Sequence, residues 1–129
     1  MARRSIEVPG LHHGGLPIPI ASVVGNLLVS GGISPLDPET GTVPPDVEEQ
    51  VELVFANVRR VLDAAGGAPE DVVKCTVFVR DKGIRPVVDK QWLALFPDPA
   101  SRLARHTLRI ELPDPVHLQL EITALLGEG

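Results

Sequence analysis

The sequence predicts a single α+β domain in which a mixed β-sheet carries two helices on one face. The chain has 129 residues, about the length of one domain, and 43% of them are hydrophobic. Thirteen prolines and twelve glycines divide it into short elements. These elements follow the order β-β-α-β-α-β-β, which is typical of a sheet covered by a helix layer. We therefore assign residues 1–129 to one domain.

The clearest element is a helix over 46–65. Its apolar residues recur at spacings of three and four, which places them along one side: Val47, Val51, Val54, Phe55, Val58, Leu62 and Ala65. Asp46 is suited to cap the first amides, and Gly66 is suited to end the helix. A second, shorter helix is predicted over 86–96, where a proline fits the first turn.

The remaining segments predict strands, over 20–24, 27–33, 72–80, 104–112 and 116–126. Gly25-Asn26 between the first two is a typical hairpin turn. In the third, alternation places Val73 on the same face as Cys75, together with the later valines. The last two strands follow each other directly, and we expect them to form a hairpin centred near Asp114.

Composition argues against several classes of protein. Twelve Lys and Arg against seventeen Asp and Glu give a net charge of −5, which disfavours binding to a phosphate backbone. With no Tyr, one Trp and three Phe, the chain offers no platform for stacking bases. The single cysteine, Cys75, can form neither an intrachain disulfide nor a zinc cluster. Since no signal peptide or long apolar run is present, we expect a cytoplasmic protein without membrane contact.

The polar faces of the last two strands suggest a site. In an unbroken strand Arg105, Thr107 and Arg109 share one face. The predicted hairpin would set Glu121 opposite Thr107, with Arg105 one diagonal away at ~7–8 Å. That gap would hold a small carboxylate-bearing molecule, which Arg105 would bind through two parallel hydrogen bonds while Glu121 positions a water or moves a proton. The alternative is a cross-strand salt bridge on a solvated face.

Several short stretches, each weak alone, occur together in a specific order and spacing. They are Gly25-Asn26-Leu27, Val29-Ser30-Gly31, 35–41 (PLDPETG), Glu49-Gln50, Asn57, 62–66 (LDAAG), 71–74 (DVVK), Thr76-Val77-Phe78, Ala104-Arg105 and 120–124 (LEITA). Through them the chain resembles the Rid family, the reactive-intermediate deaminases also called YjgF-like proteins. The resemblance covers about residues 16–126.

The resemblance implies a homotrimer, in which three sheets of a chorismate-mutase-like fold form a central barrel with clefts between subunits. It also implies hydrolysis of enamines and imines, such as 2-aminoacrylate, to 2-oxo acids and ammonia without a cofactor. The family's carboxylate-binding arginine falls on Arg105 and its water-positioning glutamate on Glu121. Gly31 and Thr107 match further cleft positions.

Two departures from the family pattern bear on the site. Ile18 stands where the family often has a tyrosine, so that a hydroxyl contact is lost. The loop over 113–117 is about two residues longer than usual, which makes Gln119 a rival for the glutamate position. We take the alternation of the LEITA stretch to favour Glu121.

The departures resemble a Rid branch that includes 2-aminomuconate deaminase. His13-Gly14 followed by Pro17-Ile18-Pro19, and Trp92-Leu93 followed by 96–99 (FPDP), fit that pattern. The implied substrate is an enamine with two carboxylates, and Arg109 or Arg102 could bind the second one. The alternative for Arg109 is an ion pair with a surface acid.

Other reactive side chains receive simpler interpretations. His12 and His13 lack helical ligand spacing, so we predict no metal site, and His13 is a candidate to line the cleft. His106 shares the parity of apolar residues and is expected to pack under a helix. Cys75 is expected in the core, and Trp92 as a core or interface anchor.

Two other functions remain open at this point. One is a trimer that binds carboxylates or 2-oxo acids without turnover, which the loss of the tyrosine at position 18 favours. The other is an endoribonuclease, an activity attached to the family, against which the net charge and the scarcity of aromatic residues argue.

Overall fold

The structure, a computed structural model, describes residues 1–127, so the last two residues of the predicted domain lie outside the described range. The elements in chain order are β1 (Arg3–Ile6), β2 (Ala21–Val24), β3 (Leu27–Ser30), α1 (Val47–Ala65), β4 (Val72–Val79), α2 (Arg85–Leu95), β5 (Ala104–Arg109) and β6 (Leu118–Leu125). The predicted order of strands and helices is confirmed, with β1 added before it. Strand β1 shows no apolar alternation that would predict it, because its four residues are exposed apart from Ile6.

Within the described residues the sheet has six strands in the order β1-β2-β3-β6-β4-β5. The β4–β5 pair is parallel and the other pairs are antiparallel, so the sheet is mixed, as predicted. Both helices pack on one face, where their apolar sides and the buried residues of the strands form one core. The opposite face, which we call the open face, carries no helix among residues 1–127.

The predicted hairpin between β5 and β6 is wrong. The parallel register of β4 and β5 pairs Cys75 with Arg105, while the antiparallel register of β4 and β6 pairs Thr76 with Glu121. Strand β4 therefore lies between them. The reason is that β4, α2 and β5 form a β-α-β unit, whose crossover brings its two strands side by side in parallel. Strand β6 takes the other edge of β4.

A bulge at the start of β4 changes which valine is buried. The register shifts between Val72 and Lys74, so that Val72 is buried and Val73 is 53% exposed. The prediction that Val73 shares the buried face of Cys75 is therefore wrong. An extra residue in one strand reverses the alternation beyond it, which sequence parity alone does not reveal.

Helix α1 begins and ends as predicted. The Asp46 carboxylate accepts a hydrogen bond from the Glu49 amide, and Gly66 ends the helix with a φ of 79°, a left-handed conformation that favours glycine. No helix within the described residues has the length and apolar character required to cross a membrane.

Two fully buried polar side chains of α1 fix two loops of the fold. Asn57 Nδ2 donates to the carbonyls of Ser34 and Leu36, at 2.8 and 2.9 Å. Gln50 donates to Pro115 O and accepts from the His117 amide, in the loop that leads into β6. Because buried polar groups are costly to leave unpaired, these bonds hold both loops against the helix.

Candidate functional site

An open concavity of about 570 Å³ lies on the open face, at the ends of β2, β3 and β6. It brings together three of the predicted substrate-binding residues and the predicted glutamate: His13, Ile18, Gly31 and Glu121. Ile18 is 50% exposed, so its side chain is available to a ligand. The concavity is therefore the first part of the candidate site.

His13 packs against Gly31 at the edge of this concavity. A Cβ placed on Gly31 would lie 3.6 Å from His13 Nε2, an ordinary contact distance. Gly31 itself donates its amide to Ile20 O at 2.9 Å, which ties the segment before β2 to the end of β3. His13 Nε2 is buried and has no hydrogen-bond partner among residues 1–127.

Gln119 and Glu121 lie on the same face of β6. Both line the concavity, as strand alternation requires for residues two positions apart. Gln119 Nε2 donates to Ser34 Oγ at 3.0 Å, while Glu121 is exposed. Because the two positions share parity, alternation does not decide between Glu121 and Gln119, and the prediction of Glu121 stays a prediction. The two residues differ in chemistry, because Glu121 has a carboxylate whereas Gln119 has a neutral amide that is hydrogen-bonded to Ser34.

Arg105 lies on the helix-covered face, away from the concavity. Its Nη2 is 2.7 Å from Asp89 Oδ1 of α2, and its guanidinium carbon is 5.0 Å from the centre of the Trp92 ring. The side chains of Arg105 and Asp89 are 22% and 49% exposed, so the pair lies at the surface. The guanidinium is thus flanked by a carboxylate and an aromatic ring, and part of it is open to solvent.

The register separates Arg105 from Glu121. Arg105 shares a face with Cys75, and Glu121 shares the other face with Thr76, the next residue of β4. The prediction that both side chains reach one cleft within a single chain is therefore wrong. Thr107 pairs with Val77 and lies on the face of Arg105, away from Gly31.

The remaining predicted residues lie around β5. His106 pairs with Thr76 and is exposed on the open face, so the prediction that it packs under a helix is wrong. Arg109 is exposed at the end of β5, on the face of Arg105. Arg102 donates to Phe96 O and Pro97 O, at 2.9 and 3.3 Å, and thereby closes the turn after α2.

Cys75 is buried in the core, as predicted. Burial raises the pKa of its thiol from the ordinary 9.0 to about 12, although the positive charge of Arg105 lowers it in part. A thiol with so high a pKa is protonated at neutral pH, and the thiolate is the nucleophilic form. Cys75 is therefore not the nucleophile of this site.

Of the two residues beside Arg105, Trp92 is buried in the core, which confirms the prediction of a core anchor, whereas Asp89 is not among the predicted site residues. Asp89 and Trp92 are three positions apart on α2, a spacing that places both on one side of a helix. The β-α-β order of β4, α2 and β5 is the sequence signal that could have predicted the position of α2 next to Arg105. Among the described residues no group of three or more His, Cys, Asp or Glu could hold a metal ion.

Comparison with known proteins identifies the family. The family model described as Endoribonuclease L-PSP matches residues 19–126. The 2-iminobutanoate/2-iminopropanoate deaminase of Escherichia coli K12 is 35% identical over 104 residues, which cover 79% of this chain and 81% of that protein. The chain belongs to the Rid family. A RutC family protein of Pyrococcus abyssi is 34% identical to this Rid protein over 84% of this chain and 85% of its own.

Solved structures share the fold of this Rid protein. The E. coli YjgF gene product superposes with a TM-score of 0.84 at 30% identity, covering 95% of this chain and 98% of its own. E. coli TdcF with bound serine gives 0.86 at 26% identity, covering 96% and 99%. The mixed sheet with two helices on one face is therefore the architecture of this family.

Proposed function

We propose that this Rid protein is a cofactor-independent deaminase that hydrolyses small carboxylate-bearing imines, and the enamines that give rise to them, to 2-oxo acids and ammonia. The observation that carries the proposal is its 35% identity to the 2-iminobutanoate/2-iminopropanoate deaminase of E. coli. Glu121 in an open concavity, and Arg105 with part of its guanidinium exposed, are consistent with this chemistry.

The proposed roles follow from what hydrolysis requires. Water adds to the carbon of the C=N bond, the nitrogen takes up both protons of that water, and ammonia leaves as the C=O bond forms. The Glu121 carboxylate can orient the water and carry its protons towards the nitrogen. Arg105 can hold the substrate carboxylate through two parallel hydrogen bonds, which orients the reacting carbon. An imine is already electrophilic, so no covalent nucleophile is needed.

The separation of Arg105 and Glu121 within one chain leads us to propose that the site forms between copies, in a homotrimer. The open face exposes apolar side chains on β3, β5 and β6, namely Leu27, Val29, Leu108 and Leu125, with exposed fractions of 37 to 52%. Burying such a face favours self-association. One subunit would then supply Arg105, and its neighbour would supply Glu121 and Gly31.

Ammonia release from 2-iminobutanoate generated in situ tests the proposed activity. We expect the purified wild-type protein to release ammonia and 2-oxobutanoate in equal amounts, well above the uncatalysed rate. Replacing Arg105 with Ala should raise KM strongly, because the carboxylate loses its partner. Absence of turnover with this imine, with 2-aminoacrylate and with 2-aminomuconate would overturn the proposal.

For the substrate itself we propose the dicarboxylate 2-aminomuconate as a candidate. Arg109 is exposed on the face of Arg105, whereas Arg102 is bound to the turn after α2. Of the two arginines, Arg109 is therefore better placed to bind a second carboxylate. The ratio of kcat/KM for 2-aminomuconate and 2-iminobutanoate decides between the two substrates.

A ligand-binding protein without turnover is the second candidate function. Ile18 supplies no hydroxyl to the concavity, and the TdcF structure contains bound serine, a small carboxylate-bearing ligand. This function predicts binding of 2-oxobutanoate by calorimetry without ammonia release from the imine. RNA cleavage that persists through repurification and is lost in R105A would instead support the activity named by the family model.

A further inference from the structure

The ion pair between Arg105 and Asp89 presents two opposite charges side by side at the surface. Asp89 Oδ1 accepts from Arg105 Nη2, and Oδ2 makes no hydrogen bond within the part of the chain that the structure describes. Asp89 is the more exposed partner, at 49% against 22%. A ligand that reaches the guanidinium therefore also meets a carboxylate with an oxygen available to accept.

The pair is held in place from the side of the helices. The guanidinium carbon of Arg105 lies 5.0 Å from the centre of the Trp92 ring, a cation–π distance. Trp92 in turn makes edge contacts with Phe55 and Phe96, with ring centres 6.4 and 5.0 Å away. The Trp92 ring thus restrains the guanidinium, and the hydrogen bond from Arg105 Nη2 holds Asp89 Oδ1 beside it.

The proposed substrate and product differ in charge next to the carboxylate. A protonated 2-imino acid carries a positive nitrogen on the carbon adjacent to its carboxylate, as an α-amino acid does. A 2-oxo acid carries the negative charge alone. Beside Arg105 and Asp89, the zwitterion meets a complementary pair of charges, while the 2-oxo acid is attracted by one and repelled by the other.

We propose that Asp89 is a specificity-determining residue, which selects zwitterionic α-imino and α-amino carboxylates over 2-oxo acids. Arg105 binds the ligand carboxylate, and Asp89 Oδ2 accepts an N–H from the cationic nitrogen. The inference rests on the proposed function, since it takes Arg105 as the carboxylate-binding residue. It adds that the site favours the protonated imine and releases the deaminated product.

Calorimetric titration with L-alanine and pyruvate tests this selection, because the two ligands share a carbon skeleton and differ in the charged nitrogen. Asp89→Asn removes the negative charge with little change in shape. It should weaken L-alanine and tighten pyruvate, so that the ratio of their Kd values changes by about tenfold or more. Asp89→Glu, which keeps the charge, should retain the wild-type preference. Asp114→Asn, which disrupts the ion pair of Arg80 at 3.3 Å, is the matched control and should change neither Kd.

An equal loss of affinity for both ligands in D89N would overturn the proposal, because a merely structural role affects both alike. An unchanged ratio, or failure of the wild-type protein to bind L-alanine, would also overturn it. Asp89→Ser provides a second neutral variant, and melting temperatures verify that each variant is folded. Failure of the proposed function has a different signature, namely wild-type affinities for both ligands in R105A.

Discussion

Arg105 and Glu121 lie on opposite faces of one sheet, on strands that flank β4 from either side. A single chain therefore cannot bring the two groups onto one small ligand without breaking the sheet. The same register leaves Glu121 beside Gly31 and His13, and Arg105 beside Asp89 and Trp92. The proposed assembly would bring the Glu121 carboxylate of one copy next to the Arg105 guanidinium of another.

Replacing Glu121 with Gln tests the proposal that Glu121, rather than Gln119, orients the water. We expect kcat to fall by about 100-fold or more, because the amide cannot take up a proton. Gln119→Leu removes a hydrogen bond to Ser34 Oγ and should lower kcat much less. Steady-state kinetics with 2-iminobutanoate measures both variants. The reverse order of effects would assign the role to Gln119.

Replacing Arg109 with Ala tests the proposal that Arg109 binds the second carboxylate of 2-aminomuconate. We expect kcat/KM for 2-aminomuconate to fall by about tenfold or more, while the value for 2-iminobutanoate stays within about twofold, since a charge-assisted hydrogen bond contributes roughly 1.5–3 kcal/mol. Arg102→Ala, which removes contacts to the turn after α2, is the control and should alter both substrates alike. Equal losses in R109A would show that Arg109 does not read the second carboxylate.

Replacing Asn57 with Asp tests the buried anchor of the loop that contains Ser34. The new carboxylate would face the carbonyls of Ser34 and Leu36, which now accept hydrogen bonds from the Asn57 amide. We expect the free energy of unfolding to fall by about 2–4 kcal/mol at neutral pH, measured by urea denaturation. Asn26→Asp, in the exposed turn between β2 and β3, should cost little. If the free energy of unfolding falls no more in N57D than in N26D, Asn57 does not anchor the loop that contains Ser34.

The buried thiol of Cys75 predicts a loss of stability at alkaline pH. Its pKa is about 12 in the folded protein and 9.0 ordinarily, so above pH 9 the unfolded state releases a proton that the folded state retains. The contribution of this group to stability therefore falls as pH rises, by about 1.4 kcal/mol between roughly pH 8 and 10. Urea denaturation of wild type and Cys75→Ala should show this as a pH-dependent difference. A constant difference would contradict the burial of an un-ionised thiol.

Local physics explains why much of the fold could be predicted from the sequence. The periodicity of α1, its Asp46 cap and the glycine at its end are all encoded within residues 46–66, and the Gly25-Asn26 turn encodes the hairpin of β2 and β3. The order of strands in the sheet is not encoded locally, because it depends on which strands pair along their edges. Nearness in sequence suggested a β5–β6 hairpin, whereas the α2 crossover sets β5 against β4.

The sequence predicts several individual residues of the candidate site, but it does not predict how they are arranged in space. Motif resemblance named Gly31 and Glu121, which the concavity brings together with His13 and Ile18. Alternation within one strand does not reveal which strand lies next to it. The prediction that Arg105 and Glu121 share one face of the sheet is wrong for this reason. Asp89 was missed because its contact with Arg105 joins positions sixteen residues apart through packing of α2.

Subunit complementation tests the central claim most directly. R105A and E121Q each lack one of the two residues of the proposed site, and unfolding and refolding them together would let mixed copies of the proposed trimer form. We expect ammonia release from 2-iminobutanoate to return to roughly a quarter of the wild-type value for random mixing, since a neighbour then supplies the missing group. Each variant refolded alone should keep its own low activity. A mixture that remains as inactive as its components would contradict a site shared between copies of this chain.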